Sequence, residues 1–394
     1  MPEFNLAESI LPKELKFIAS KAYKDGYMWT IVKERGPFEV CPKCATPSKV
    51  RCGRVWVTVR EAPLRERPLW LRIQKHRYYC KLCRKPFTES VPGVWPGRRT
   101  TSFFRRMVAR ACETHTNLDL VRKNYGCSSG FIYKVHYEQL ELKLRERSGA
   151  PWPETLGIDE HFFSRRRGFT EFATVFCDLR KRRLFEMCLG KDKRSILEQV
   201  DSVPGRERVK VVVIDLSNGY LSLVRELFPN ARIVADKFHA LRLITPALLK
   251  VRKDIHGHMR DMRMRRLLLK NRESLDYYVR TDIDRYLKQH PELDELYRLK
   301  ERLRELYRCR GIDKARKSLE RLVMQAKTSS LEAAQRLGRT LERWSEQILN
   351  YFEKRWTNGF TEATNGNAKA LQKRARGYKN FVNYRLKTLC ACYR

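Results

Sequence analysis

The sequence predicts an α/β protein in several modules. A zinc-ribbon module and a helix-turn-helix domain precede a ribonuclease H-like core that is interrupted by a long α-helical insertion. Three observations predict this. Two Cys-x2-Cys pairs, Cys41/Cys44 and Cys80/Cys83, bracket two segments of alternating apolar residues. Strand and helix patterns then follow in the order β-β-β-α-β-α-β over residues 154–240, which is the ribonuclease H-like order. From about Ala240 to Tyr351 the pattern is helical and strongly basic.

The elements can be justified in turn. Residues 1–36 are mixed in character and read as a helical lead-in. In the ribbon, residues 37–92, Val55, Val57 and Val59 alternate with Trp56 and Thr58, and Leu69, Leu71 and Ile73 with Trp70 and Arg72. A period of two marks half-buried strands, so the cysteine knuckles are joined by a hairpin. Residues 91–100 hold two Pro and two Gly and look like a linker. In the next domain, residues 100–147, Phe103, Phe104, Met107, Val108 and Ala111 fall at helical spacing. Leu118, Leu120 and Val121 follow, then Gly126, then Ser128-Ser129-Gly130 ahead of Ile132, Val135 and Leu140. Helix, glycine turn, polar cap and helix is the helix-turn-helix rhythm. Ser148 to Pro153 reads as a second linker.

The core begins with strand patterns at Leu156–Phe163, Glu171–Asp178 and Arg182–Leu189, and a helix at Lys193–Val200. Val209 to Ile214, apolar throughout except for Lys210, bears the mark of a strand covered on both faces. A short helix through Leu221, Val224 and Leu227 leads to a strand at Arg232–Ala235. Residues 241–350 form the insertion, and residues 351–394 resume the core with a helix near Thr361 to Arg374.

Composition narrows the partners. The 394 residues include 83 Lys plus Arg against 45 Asp plus Glu, a formal net charge of +38. Such an excess suits a polyanion, because each phosphate neutralised releases condensed counterions. Nucleic acid is the first expectation and an anionic membrane surface the second. The longest apolar stretch, Val211 to Ile214, stops at Asp215, far short of the roughly 20 residues of a spanning helix. The first 16 residues carry Glu3, Glu8 and Glu14 and no apolar signal core. The expectation is a cytoplasmic, nucleoid-associated protein without membrane contact, whose 12 cysteines are thiols or metal ligands.

Cys41, Cys44, Cys80 and Cys83 would satisfy a tetrahedral Zn2+, structural because four thiolates leave no open position. Asp159 lies within the first core strand, and Asp215 ends the fourth. Carboxyl ends of parallel strands are where such sheets present ligands. Two or three carboxylates there favour Mg2+ or Mn2+, and a pair of such ions can activate a water or a 3′-hydroxyl. Spacing alone equally allows aspartates that only shape strand-end turns. Asp236 and His239, three residues apart, also admit two readings: an accessory pair with a proton-shuttling His, or a helix cap and a satisfied core histidine.

Four stretches add a resemblance: Leu156-Gly157-Ile158-Asp159-Glu160, Val213 to Tyr220, Ile233 to His239, and Thr357 to Asn365 running into Lys373–Phe381. With the cysteine knuckles and the following helices, these make the chain similar to DDE transposases of bacterial insertion sequences, of the ISL-three type. The resemblance covers nearly the whole chain. It implies a DNA transposase that binds terminal inverted repeats and cuts and joins strands by a DDE two-metal-ion mechanism. Double-stranded DNA, both repeat and target, would be the partner of a homodimer or higher oligomer. The catalytic and metal-holding triad falls on Asp159, Asp215 and Glu362, of which Glu362 is singled out by the motif alone. Relatives often carry a glycine or another small residue between this glutamate and the asparagine, where this chain has Ala363-Thr364. The alternative is a non-catalytic regulator built from the same DNA-binding modules, against which all three acidic positions speak.

DNA contacts are expected at Arg98 and Arg99 after the ribbon, and at Ser129, Tyr133 and Lys134 on a recognition helix in the major groove. Further contacts are expected at Arg165, Arg166 and Arg167 beside the strands, at Arg263, Arg265 and Arg266 in the insertion, and at Lys373, Arg374 and Arg376 after the glutamate. Trp356 and Phe360 flank that glutamate and either stack on an unpaired base or pack in the core.

Overall fold

A computed structural model describes residues 11–115, 117–145, 149–166, 168–256 and 262–392. The chain divides into two units, Met1–Lys143 and Leu144–Arg394.

The first unit is built on a sheet of strand order β1-β2-β6-β5, with β7 added to β6. The strands are β1 (Leu15–Tyr23), β2 (Gly26–Lys33), β5 (Arg51–Leu64), β6 (Arg67–Cys80) and β7 (Lys85–Thr88). A two-stranded ladder, β3 (Glu39–Val40) with β4 (Pro47–Ser48), flanks the first knuckle. β5 and β6 form the antiparallel hairpin expected between the knuckles. The helical lead-in is corrected: within residues 1–36, β1 and β2 form an antiparallel hairpin, and β2 runs parallel to β6. The physical reason is visible in β2, where Trp29 and Ile31 alternate and bury against Leu69, Leu71 and Ile73. Aromatic and β-branched residues in period two favour a pleated, half-buried surface over a helix. Residues 1–10 of that expectation lie outside the described residues.

The expected linker at 91–100 is also packed. Arg60 N–H donates to the Arg99 carbonyl at 2.9 Å, and Thr101 N–H to the Arg60 carbonyl at 2.9 Å. The segment thus satisfies edge groups of β5 that would otherwise face solvent. Three helices follow: α1 (Ser102–Thr114), α2 (Leu118–Tyr125) and α3 (Ser129–Arg145). Thr101 caps α1 and Asn117 caps α2. Gly126 ends α2 at φ +53°, a left-handed conformation that glycine adopts without a Cβ penalty. The Ser128 hydroxyl then accepts from Phe131 N–H at the start of α3.

The second unit carries a sheet of order β10-β9-β8-β11-β12. β8 (Thr155–Arg166), β9 (Phe169–Asp178) and β10 (Arg183–Leu189) pair antiparallel. β11 (Val211–Ile214) is parallel to β8 and to β12 (Arg232–Ala235). Helix α4 (Lys193–Val200) precedes β11, and α5 (Asn218–Leu227) joins β11 to β12. After α6 (Lys237–Arg242), the described residues form a helix at Thr245–His256 and a series of helices between Met262 and Lys354. Their Leu293, Leu296 and Leu303 share one hydrophobic cluster with Ile158, Val212 and Ile214 of the sheet. Two helices close the chain, α7 (Gly359–Arg374) and α8 (Phe381–Ala391). Within the second expected linker, the Trp152 side chain is buried against Phe176, Phe185 and Phe228, and its backbone N–H donates to the Pro204 carbonyl. Among the described residues no helix is long and apolar enough to cross a membrane.

Candidate active site

The site grows from one face of β8. Successive strand residues point to opposite faces, so Gly157, Asp159, His161 and Phe163 share one side. Leu156 and Ile158 take the other and enter the core. Helix α7 crosses the first side very closely. A Cβ on Gly157 would collide with Thr361 Oγ1 and Asn358 Oδ1, so only glycine lets the helix start so near the strand. Asn358, just before α7, donates from Nδ2 to the Ile158 carbonyl at 2.9 Å. Its backbone N–H donates to Asp236 Oδ1 at 2.9 Å.

These contacts bring together carboxylates from distant parts of the sequence. Asp215 follows β11 directly, and Asp236 follows β12. Asp236 is buried and caps α6, its Oδ2 accepting from the N–H groups of Phe238 and His239. His239 Nδ1 lies 2.9 Å from Asp215 Oδ1 and 3.2 Å from Asp236 Oδ2. Ligand atoms of Asp215, Asp236 and His239 all lie within 4.8 Å of one another. The cap reading of Asp236 therefore holds, and His239 is a bridge between two acids rather than a core histidine.

Electrostatics tie Asp159 and Glu362 to this cluster. Burial, reinforced by the charge of Asp215, pushes the Asp159 carboxyl up to about 6. Burial and then Asp236 raise Glu362, which sits in the first turn of α7. Asp215 and Asp236 together push His239 up to about 10, so it is cationic at neutral pH. Burial works against the Asp236 carboxylate, but the hydrogen bonds from His239 and the Asn358 N–H outweigh it and hold its pKa low. Several acids gathered around one imidazolium form a place where positive charge is required.

The sequence also contains ordinary polar residues whose role only the fold reveals. Asn365 Nδ2 donates to Asp159 Oδ2 at 2.7 Å, and Glu160 N–H donates to Asp159 Oδ1 at 2.8 Å. The spacing of Asn365 from Glu362, one helical turn, was the available signal.

Residues 156–388 match a transposase family, the ISL3-type DDE transposases. The chain belongs to the ISL3 transposase family. Residues 37–83 match the zinc-finger of the IS204/IS1001/IS1096/IS1165 transposases. The chain is also 26% identical over 372 residues to the transposase for insertion sequence element IS1001 of Bordetella parapertussis, covering 89% of this chain and 88% of that one.

In this transposase-family chain the four knuckle thiols gather as expected. Their sulfurs all lie within 4.8 Å of one another, with Cys44 and Cys80 at 3.6 Å. Tetrahedral zinc with Zn–S bonds of about 2.3 Å implies S···S separations of about 3.8 Å, so the cluster fits zinc. Hydrogen bonds with Thr46 and neighbouring thiols lower Cys44 to about 6, while the same contact with Cys44 pushes Cys83 up to about 12, so one thiolate of this pair forms first and the other thiol holds its proton.

The basic residues are more dispersed in role. Ser129, Tyr133 and Lys134 are exposed on α3, and Tyr133 stacks on Tyr137. Arg99 and Arg165 are exposed, as are Arg265, Arg266, Lys373, Arg374 and Arg376. Arg98 pairs with Glu138 at 3.0 Å, and Arg263 with Asp282 at 2.9 Å. Arg166 is the last residue of β8, and Arg167 lies outside the described residues. Trp356 and Phe360 pack against the core, which favours that reading of the two aromatics.

Proposed function

We propose that this chain is an active DNA transposase that cuts and joins strands at the ends of an insertion sequence, with Asp159, Asp215 and Glu362 as its catalytic carboxylates. The observation that carries the reading is that Asp215, directly after β11, is coupled electrostatically both to Asp159 on β8 and to Glu362 in the first turn of α7. The sheet order, three antiparallel strands followed by two parallel to the first, supports a ribonuclease H-like core. The proposed donors, the carboxylates of Asp159, Asp215 and Glu362, are all oxygen, which suits Mg2+ or Mn2+. A divalent ion held there supplies Lewis acidity to phosphoryl oxygens and lowers the pKa of an attacking water or 3′-hydroxyl.

The chain's own residues do the rest. His239 keeps a proton on Nδ1 facing Asp215 and Asp236 and so relieves their mutual repulsion. Asn358 fixes the entry to α7 against Asp236 and β8, and thereby aims Glu362. Helices α2 and α3, joined at Gly126, support a helix-turn-helix that reads the repeat through Ser129, Tyr133 and Lys134. Arg99, Arg165, Arg265, Arg266, Lys373, Arg374 and Arg376 would neutralise phosphates. Arg98, Arg166, Arg167 and Arg263 keep the same proposed role, Arg98 and Arg263 exchanging their ion pairs for phosphate. The four knuckle cysteines hold a structural Zn2+, and bringing two element ends together calls for a homodimer or larger oligomer.

A labelled repeat-end duplex incubated with Mg2+ or with EDTA tests the reading. Wild type should cut the 3′ end in Mg2+ alone. Asp159→Ala, Asp215→Ala and Glu362→Ala should bind the duplex and fail to cut it. Full cutting by any one variant removes that residue from the triad, and binding without metal-dependent cutting in wild type would mean a regulator instead.

A further inference from the structure

Behind Asp159 the second unit buries three further polar side chains in a row. Asn365 Oδ1 lies 2.8 Å from His161 Nδ1, and His161 Nε2 lies 2.7 Å from the Tyr384 hydroxyl. Asn365, His161 and Tyr384 are each no more than 3% exposed. Buried polar groups must find partners, and here they find one another from three elements: β8, α7 and the last helix, α8.

The direction of the row is set at one end. An ionised carboxylate only accepts hydrogen bonds, so the Asn365 amide must turn its NH2 to Asp159. Its carbonyl oxygen then faces His161, which must carry its proton on Nδ1. Nε2 is left as an acceptor, and the Tyr384 O–H donates to it. Turning the Asn365 amide over would set two acceptors 2.7 Å apart at Asp159, and moving the His161 proton to Nε2 would set two acceptors 2.8 Å apart between His161 and Asn365.

We propose that Tyr384, His161 and Asn365 form a positioning relay that holds the Asp159 carboxylate in the orientation that receives a divalent cation, so that α8 is part of the active site. The inference rests on the reading of Asp159 as a metal-holding carboxylate. With Oδ1 tied to Glu160 N–H and Oδ2 to Asn365, the carboxylate cannot rotate without losing a bond at both oxygens. Each oxygen keeps a lone pair for the cation. Glu362 and Asn365 are three residues apart on α7, so the helix that carries the third carboxylate also anchors the first. Tyr384 is held by its ring as well: it stacks on Phe163 at 5.3 Å and lies tilted beside Tyr378 at 5.1 Å. Its hydroxyl can therefore be removed without removing its packing.

The test uses the full-length chain with Tyr384→Phe, Asn365→Ala and, should the last fail to fold, the near-isosteric Asn365→Leu. Two readouts need no catalysis. Nitrogen-15 NMR reports the histidine tautomers, with His161 assigned by the signal missing from His161→Gln. Mn2+ titration followed by electron paramagnetic resonance reports cation affinity without DNA. In wild type and in Tyr384→Phe, where Asn365 Oδ1 still faces Nδ1, His161 should be the Nδ1–H tautomer, and in the Asn365 variants that preference should be lost. Partners of metal ligands are typically worth about 10–100-fold in metal affinity, so Asn365→Ala or Asn365→Leu should weaken Mn2+ binding by that much. Tyr384→Phe should weaken it less, with a melting temperature lowered modestly because Nε2 of His161 loses its donor. An Nε2–H tautomer in wild type overturns the relay, as does Mn2+ binding at wild-type strength in both Asn365 variants. If those readouts hold but wild type cuts no repeat end in Mn2+, the relay stands and the transposase reading falls.

Discussion

Gly157→Ala tests whether the active site depends on the close approach of α7 to β8. The added Cβ would collide with Thr361 Oγ1 and Asn358 Oδ1, and it would press Leu179 Cδ2 at 2.9 Å. Thr361 and Asn358 are fully buried, so neither side chain has room to withdraw. Restoring ordinary contact distances of about 3.5–4 Å requires the start of α7 to move by roughly 1 Å. Overpacking of this kind costs about 1–3 kcal/mol. For a unit of this size each kcal/mol lowers the melting temperature by about 2–4 °C, so a fall of roughly 2–12 °C is expected. The functional loss should be larger. Glu362 and Asn365 move with the helix while Asp159 stays on the strand, and a misplacement of about 1 Å can cost roughly 100-fold in rate. The assays are urea or thermal unfolding and 3′-end cutting at fixed Mg2+, with repeat-end binding as the control that should not change. Thr361→Ala removes one of the two colliding atoms, so adding it to Gly157→Ala should return stability and several-fold of the activity, with a coupling of at least about 0.5 kcal/mol. Wild-type melting and cutting in Gly157→Ala would refute the close-approach argument, and a loss that Thr361→Ala leaves untouched would refute the collision as its cause.

Trp152→Ala should destabilise the second unit by about 3–5 kcal/mol, because its indole is buried among three phenylalanines; a urea-derived loss below about 1 kcal/mol would remove it as an anchor. Cys80→Ser should reduce bound zinc, measured by mass spectrometry, from about one ion per chain to none and lower the melting of the first unit; retained zinc would exclude Cys80 as a ligand. Lys300 is buried, with Nζ donating to the Leu268 and Lys270 carbonyls, and burial lowers its pKa to about 8 despite the pull of Glu301. Between pH 8 and the ordinary 10.5 the unfolded chain binds the extra proton, so this group makes stability rise with pH across that window. The stability of wild type relative to Lys300→Met, from urea titrations, should therefore grow from pH 8 to 10.5, and a constant difference would contradict the depressed pKa.

The parts of this fold legible in the sequence are those whose cause is local. Val211 to Ile214 reads as a covered strand because four consecutive apolar residues have no solvent face to offer. The cysteine pairs read as a metal site because two residues of spacing place both thiols on one ion. The hairpin of β1 and β2 was hidden because Leu15–Tyr23 has no clean alternation, Phe17, Ile18 and Ala19 being adjacent where the register shifts; it becomes a strand by pairing with β2, which in turn pairs with β6. The active site divides along the same line. Alternation along β8 already places Asp159 and His161 on one face, but nothing nearby in sequence says what covers that face. The partner of His161 lies 204 residues away at Asn365, and the next lies 223 residues away at Tyr384. A motif therefore finds the carboxylates, whose chemistry is distinctive in any context, and includes Asn365 without saying what it holds; it passes over His161 and Tyr384, whose meaning is set by what the chain folds against them. It follows that substitutions which disturb α7 or α8 should act on the chemistry at Asp159 even where no motif residue has changed.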